Sequence, residues 1–152
     1  MSQILDGILG GITEKQKEFL SVCLQNTDRL KRIVDNLLDM AKIEAGEFEL
    51  QRNKLDMVEL VENVLSSFIP MAQSKGLEIR SLLPDHVIKI VGDKDRIFEV
   101  FNNLVGNSLK FTDTGLIEIQ IIDKHKWVEC SVSDTGKGIA EDDLSKVFNK
   151  FQ

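Results

Sequence analysis

From Thr13 to Ala45 the chain keeps a single period. Phe19, Cys23, Asn26, Leu30, Ile33, Leu37 and Met40 recur at alternating spacings of four and three. That is a heptad seam on one long helix. Asn26 is its one polar member. Val34, Leu38 and Ala41 widen the stripe beyond a two-helix seam, which suits a helical bundle. Gly46 follows the last periodic residue and is the expected stop. The stretch before the helix, Ser2 to Gly7, reads as the last turns of another helix, closed by Gly10-Gly11. A helix this long with so wide an apolar face cannot satisfy itself. The expectation is a partner, supplied by a missing segment or by a second copy of the chain.

After Gly46 the pattern becomes mixed. Phe48 to Gln51 alternates and predicts a short strand. Asp56 is the expected N-cap of a helix through Met71 that ends near Gly76. Leu77–Leu82 and Val87–Val91 predict strands on either side of Pro84. Asp95 to Phe111 is helical by period. Leu116–Ile122 and Trp127–Ser133 predict a hairpin around Asp123-Lys124-His125-Lys126, and Asp142–Phe148 a short helix. The organisation is therefore α+β, with an all-helical region over 1–46 and a mixed region over 47–152.

Bulk chemistry removes several functions. Of the 152 residues, 42% are hydrophobic and 29% charged, with a net charge of −6. An acidic chain lacks the electrostatic footprint of a general nucleic-acid binder. Nucleotide binding needs only a few well-placed groups and is untouched by that argument. Cys23 and Cys130 have no Cys or His at ligand spacing, so two reduced cysteines in a cytoplasmic setting are expected rather than a zinc site or disulfide. No apolar run approaches the roughly 20 residues that span a bilayer. No direct membrane contact is expected, although a longer parent protein is free to carry an anchor.

Two local patterns carry chemistry. On the Asp95–Phe111 helix, Glu99, Asn103, Asn107 and Lys110 fall within an arc of roughly 80°. Ile97, Phe98, Val100, Phe101, Leu104, Val105 and Leu109 are expected on the buried side. An Asn amide oxygen can ligate Mg²⁺, and a Lys one turn away can meet phosphate as a point charge. Taken alone, such a stripe is an ordinary solvated face. The second pattern is a strand that ends at Asp134 and runs into Gly136 and Gly138. Glycines there let the backbone approach a ligand closely, and the Asp carboxylate can accept from an exocyclic amine. This too is weak alone. The two patterns in this order, separated by a hairpin, are far more specific.

Together they resemble a sensor histidine kinase of the two-component type, within the wider GHKL group that includes gyrase and heat-shock chaperone ATPases. Asn102–Thr112 resembles the family's N box, Asp134–Ile139 its first glycine box, and Val147–Gln152 its F box, with Asn149 and Lys150 in place of the commoner Glu-Pro. Leu30–Leu50 resembles the second dimerisation helix and its junction. The resemblance implies part of a dimerisation bundle followed by a two-layer α/β sandwich of the Bergerat type. It implies that Asn107 ligates the Mg²⁺ bridging the phosphates of ATP, supported by Asn103. Lys110 would contact phosphate and Asp134 would accept from the adenine amino group. Gly136 and Gly138 would let the backbone close on the nucleotide, and Phe111 and Ile139 would line the pocket. A homodimer and a response-regulator receiver domain are the implied partners. In the gyrase-like relatives a Glu stands four residues before the metal Asn. Here that position is Asn103, which cannot activate water, so phosphotransfer is favoured over hydrolysis.

The departures shape the expectation as well. No His-Glu-x-x-x-Pro-type phosphoacceptor box is present, and His86 and His125 fall in turns. The second glycine box, the ATP lid and the last strand and helix would follow the F box. The chain alone is therefore expected to bind ATP weakly or not at all and not to phosphorylate itself. A non-catalytic dimerisation scaffold is the alternative.

Overall fold

The computed structural model describes residues 10–147. They divide into two compact units between Glu49 and Leu50, each described here by itself. The stretch from Ser2 to Gly7 and the F-box residues 148–152 lie outside the described residues.

The first unit is dominated by α1, Glu14–Ala45. Its start is a reciprocal cap: the Gln16 N–H donates to Thr13 Oγ1 at 3.2 Å, and the Thr13 N–H donates to Gln16 Oε1 at 2.8 Å. This satisfies two of the orphan donors that every helix start leaves open. Gly46 ends it in the left-handed region at φ 71°. At 32 residues the helix is about 48 Å long. Its seam is open: Phe19 is 65% exposed, Leu30 62% and Leu37 55%. Asn26 spends one amide proton on its own helix, Nδ2 donating to the Val22 carbonyl at 3.0 Å.

The second unit is the sandwich. Its elements are β1 (Asn53–Asp56), α2 (Met57–Lys75), β2 (Glu78–Leu82), β3 (Lys89–Gly92), α3 (Lys94–Phe111), β4 (Leu116–Asp123), β5 (Val128–Asp134) and the single turn α4 (Glu141–Leu144). β1 and β3 pair antiparallel, from Asn53 opposite Gly92 to Asp56 opposite Lys89. β2 lies parallel to β4, and β4 antiparallel to β5, with Ile117 opposite Asp134 and Asp123 opposite Val128. The core combines Leu60, Val61 and Val64 of α2, Phe101, Val105 and Leu109 of α3, and Ile117, Ile119 and Ile121 of β4. The helical set repeats every three or four residues and the strand set every two, as two layers packed face to face require.

Three expectations are corrected. Phe48–Gln51 forms no strand; the first strand is Asn53–Asp56. Its alternation is poorer, but it has a partner in β3, and a strand without one leaves its backbone groups unpaired. The helix begun by Asp56 runs through Pro70 and Met71 to Lys75 and is closed by Gly76, as expected. The helix expected to reach Phe148 is the single turn Glu141–Leu144. Val100 and Leu104 are 55% and 46% exposed rather than buried, because the second layer covers only the Phe101–Val105–Leu109 side of α3. Among the described residues no helix is long and apolar enough to cross a membrane.

Candidate nucleotide-binding site

The site is built where the end of α3 meets the end of β5. α3 starts at Asp93, whose Oδ1 accepts from the Asp95 and Arg96 N–H groups at 3.1 and 3.2 Å. Its Oδ2 accepts from the Gln51 N–H at 2.8 Å. These three backbone donors, Gln51 first, hold the Asp93 carboxyl below its usual range. The helix end is held from α2, where Lys75 Nζ donates to the Leu109 carbonyl at 2.8 Å. The polar stripe is thus carried on a helix tied at both ends.

Asn103, Asn107 and Lys110 are exposed along one face of α3, at spacings that stack side chains turn over turn. Glu99 is engaged by Arg96 at 3.1 Å on its own helix. Phe111, 41% exposed, ends α3. Two ammonium groups sit over its ring, Lys110 Nζ at 4.9 Å and Lys137 Nζ at 5.0 Å from the centroid. Such placement is attractive, and it gathers two positive charges where the stripe ends.

The glycine turn docks against this end. Ser108, buried on the inner side of α3, donates from Oγ to Asp134 Oδ2 at 2.9 Å, and the Gly136 N–H donates to Asp134 Oδ1 at 2.9 Å. Both oxygens of the carboxylate are therefore oriented. The Lys137 N–H donates to the Phe111 carbonyl at 3.3 Å. A Cβ on Gly136 would lie 2.5 Å from the Phe111 carbonyl oxygen and 2.9 Å from both Asp134 Oδ1 and Thr112 Oγ1, so only glycine fits the approach. Thr135 fastens the turn to the start of β4, its Oγ1 accepting from the Leu116 N–H at 3.0 Å.

The structure thus brings Lys110, Phe111, Asp134 and Gly136 together, with Asn107 and Asn103 one and two turns up the same helix. A Cβ on Gly138, at φ 67°, would meet nothing within 4 Å, and Ile139 is 56% exposed. The arrangement is an open shelf. The apolar depression of about 230 Å³ between α2 and α3 is lined by Phe68, Met71, Lys75 and Leu109 and includes only Lys110 of the predicted residues. Three groups escape a reading of the motifs: Ser108, Thr112 and Lys137. Each lies inside a quoted box, but what it faces is distant in sequence: Asp134 for Ser108, Gly136 for Thr112 and the Phe111 ring for Lys137.

The residues fit a magnesium nucleotide. No three His, Cys, Asp or Glu side chains cluster to hold a metal among the described residues. A cation on this shelf would take Asn amide oxygen and ligand phosphate oxygens, as Mg²⁺ does. The Gly136 cradle and the oriented Asp134 carboxylate offer an acceptor edge to a base.

An α/β sandwich with this shelf defines the class of ATP-binding folds shared by kinases and ATPases. Residues 92–152 match the family described as histidine kinase-, DNA gyrase B- and HSP90-like ATPase. Residues 1–46 match the His Kinase A phospho-acceptor domain family. The chain belongs to the histidine kinases. It is 30% identical over 148 residues to the signal transduction histidine-protein kinase BaeS of Escherichia coli, covering 97% of this chain and 32% of that protein. It is 33% identical over 146 residues to the hybrid signal transduction histidine kinase L of Dictyostelium discoideum, covering 92% and 8%. The chain thus spans a third or less of the length of these relatives. Among solved structures, full-length ShkA in complex with AMPPNP matches with a TM-score of 0.75 at 28% identity, over 91% of this chain and 30% of that one. The Acinetobacter baumannii histidine kinase AdeS matches with a TM-score of 0.73 at 25% identity, over 95% and 71%.

Proposed function

We propose that the chain is the nucleotide-binding and dimerising part of an ATP-dependent protein-histidine kinase. The whole protein would transfer the γ-phosphoryl group of ATP to a histidine and then to an aspartate of a response-regulator receiver domain. The observation that carries this reading is the docking of Asp134, fixed by Ser108 and Gly136, beside a helix end bearing Asn107, Lys110 and Phe111.

Each residue has a task in that reading. Asp134 accepts from the adenine amino group. Gly136 and Gly138 let the backbone close on the nucleotide. Phe111 and Ile139 flank the ring system. Asn107 holds Mg²⁺, Asn103 supports the metal and phosphate site, and Lys110 meets phosphate, with Lys137 adding positive charge next to it. When bound, Mg-ATP supplies the phosphoryl group, and its transfer is mostly positioning plus charge neutralisation. Asn103 stands where a water-activating carboxylate would be needed for hydrolysis, and an amide does not take a proton. The acceptor histidine belongs to the whole protein, since His86 and His125 both lie in the second unit. The reading sets the chain in the cytoplasm, where ATP and receiver domains are both available. That same distribution of histidines favours the alternative, a non-catalytic dimerisation scaffold, for the 152 residues taken alone.

Calorimetric titration with Mg-ATP separates the two. The kinase reading expects at most weak binding by the 152-residue chain, with Asn107→Ala and Asp134→Ala each weakening it about tenfold further, the worth of one contact to a charged group. Binding that neither change weakens overturns the site, and a chain that binds no nucleotide even when extended through the second glycine box favours the scaffold.

A further inference from the structure

The C-terminal halves of α2 and α3 do not close fully on each other. The depression of about 230 Å³ lies between them. Phe68 and Met71 of α2 and Leu109 of α3 give it apolar walls. Gly106 opens it. Glycine inside a helix is among the least favourable residues for that conformation, and nothing steric demands it here. A Cβ on Gly106 would meet nothing within 4 Å, whereas one on Gly136 would strike its neighbours. What the missing side chain leaves is room, because a larger residue at 106 would project into the depression. Lys75 and Lys110 complete the lining. Lys75 Nζ spends one proton on the Leu109 carbonyl at 2.8 Å, and Lys110 Nζ lies 4.9 Å from the centre of the Phe111 ring. Among the described residues neither ammonium is paired with a carboxylate. In a chain of net charge −6, two unpaired ammonium groups beside one apolar depression stand out.

We propose that this depression binds a small anionic amphiphile, a short alkyl chain with a carboxylate at one end. Lys110 is shared with the nucleotide shelf; the other lining residues are not. Size fits the apolar part. A cavity of about 150 Å³ holds one benzene, so this one takes a chain on the order of eight carbons. Met71, 57% exposed, is unbranched and adapts its thioether to an irregular ligand. Charge fits the head group. The carboxylate meets the two remaining protons of Lys75 and the ammonium of Lys110, and such charge-assisted bonds are the strong ones. Carbonyls at a helix end would repel an anion, but those nearby are engaged. The Ala72 carbonyl accepts from the Leu77 N–H at 2.9 Å, that of Gln73 from the Gly76 N–H at 3.0 Å, and that of Leu109 from Lys75. A cationic ligand of the same shape would face two like charges, and a neutral one would forgo both lysines.

The test uses the 152-residue chain labelled at its Met and Leu methyl groups and followed by NMR during titration with octanoate and with octylammonium. Octanoate should shift the Met71 and Leu109 signals saturably, with a Kd of about 1 mM for a ligand of this size. Octylammonium, equal in length and opposite in charge, should bind about tenfold more weakly. Lys75→Gln keeps a donor for the Leu109 carbonyl but loses the charge. It should weaken octanoate about fivefold and octylammonium not at all. Gly106→Leu should abolish the octanoate shifts while raising the melting temperature, since leucine is the better helix former. Loss of binding in a more stable protein is not loss of fold. Octanoate shifts that persist in Gly106→Leu overturn the proposal. So does equal binding of the two probes, or a titration that leaves Met71 and Leu109 unmoved and shifts only Leu30 and Leu37 on the α1 stripe.

Discussion

At the scale of single residues, the two glycines of the turn have different physical reasons to be glycine. Gly136 is constrained by space, because its missing side chain is the room occupied by the Phe111 carbonyl, the Asp134 carboxylate and Thr112. Gly138 is constrained by conformation alone, at φ 67° with nothing within 4 Å of where a Cβ would stand. Alanine at Gly136 should cost about 1–3 kcal/mol through overpacking, and alanine at Gly138 about 1–2 kcal/mol through the left-handed backbone. Thermal melting separates the causes. Asparagine, which tolerates the left-handed region, should recover most of the loss at Gly138 and none at Gly136. Equal recovery at both would mean that the close approach at Gly136 is not a real constraint. The same residues mark how far motifs speak for a site. Asn107, Lys110 and Asp134 are legible because their chemistry lies in their own side chains and local spacing. Ser108 is not, since its role arises from a carboxylate 26 positions further along, and Lys137 gains its role from a ring on another element.

At the scale of elements, ends are more legible than pairings. Gly46 and Gly76 act on backbone within five residues of themselves, and Asp56 caps through the Val58 N–H two residues on, so these effects are written locally; the Ile88 N–H that Asp56 Oδ1 also accepts is not. β1 exists because Asn53 meets Gly92 and Asp56 meets Lys89, and nothing in its own four residues announces those partners. Exposure of Val100 and Leu104 is equally non-local, set by which side of α3 the sheet covers. Asp93 links the two kinds of information. It caps α3 locally and also accepts from Gln51, the second residue of the unit. Its folded pKa lies below the unfolded value of 3.8, chiefly through the Gln51 N–H. The carboxylate's contribution is therefore complete above the unfolded pKa and lost as pH falls through the folded one. Asp93→Asn keeps a competent cap but does not titrate. The difference in melting temperature between wild type and Asp93→Asn should be constant from neutral pH down to about pH 5 and shrink in stronger acid. A difference that grows on acidification would reverse the sign and remove the carboxylate from this role.

At the scale of the whole molecule, the two units bury their apolar residues differently. The second unit encloses its own, with Leu60, Val61, Val64, Val105, Ile117 and Ile119 at 1% exposure or less. The first unit leaves Phe19, Leu30, Ile33, Val34, Leu37 and Leu38 open to solvent along one helix. A contiguous apolar stripe of this kind is a surface awaiting a partner, and its heptad spacing suits another helix of the same sort. A second copy of the chain presents that face. Self-association through α1 should therefore appear in sedimentation velocity as a concentration-dependent dimer. Leu30→Glu with Leu37→Glu sets like charges across a two-fold seam and should give a monomer, since unpaired carboxylates on a closing apolar face lose their hydration. The thermal transition of the second unit and its nucleotide binding should be unchanged, because none of its core residues lies on α1. A double variant that still dimerises would move the interface to the second unit. A wild-type chain that stays monomeric at every concentration would mean that the stripe is covered by a segment other than a copy of itself.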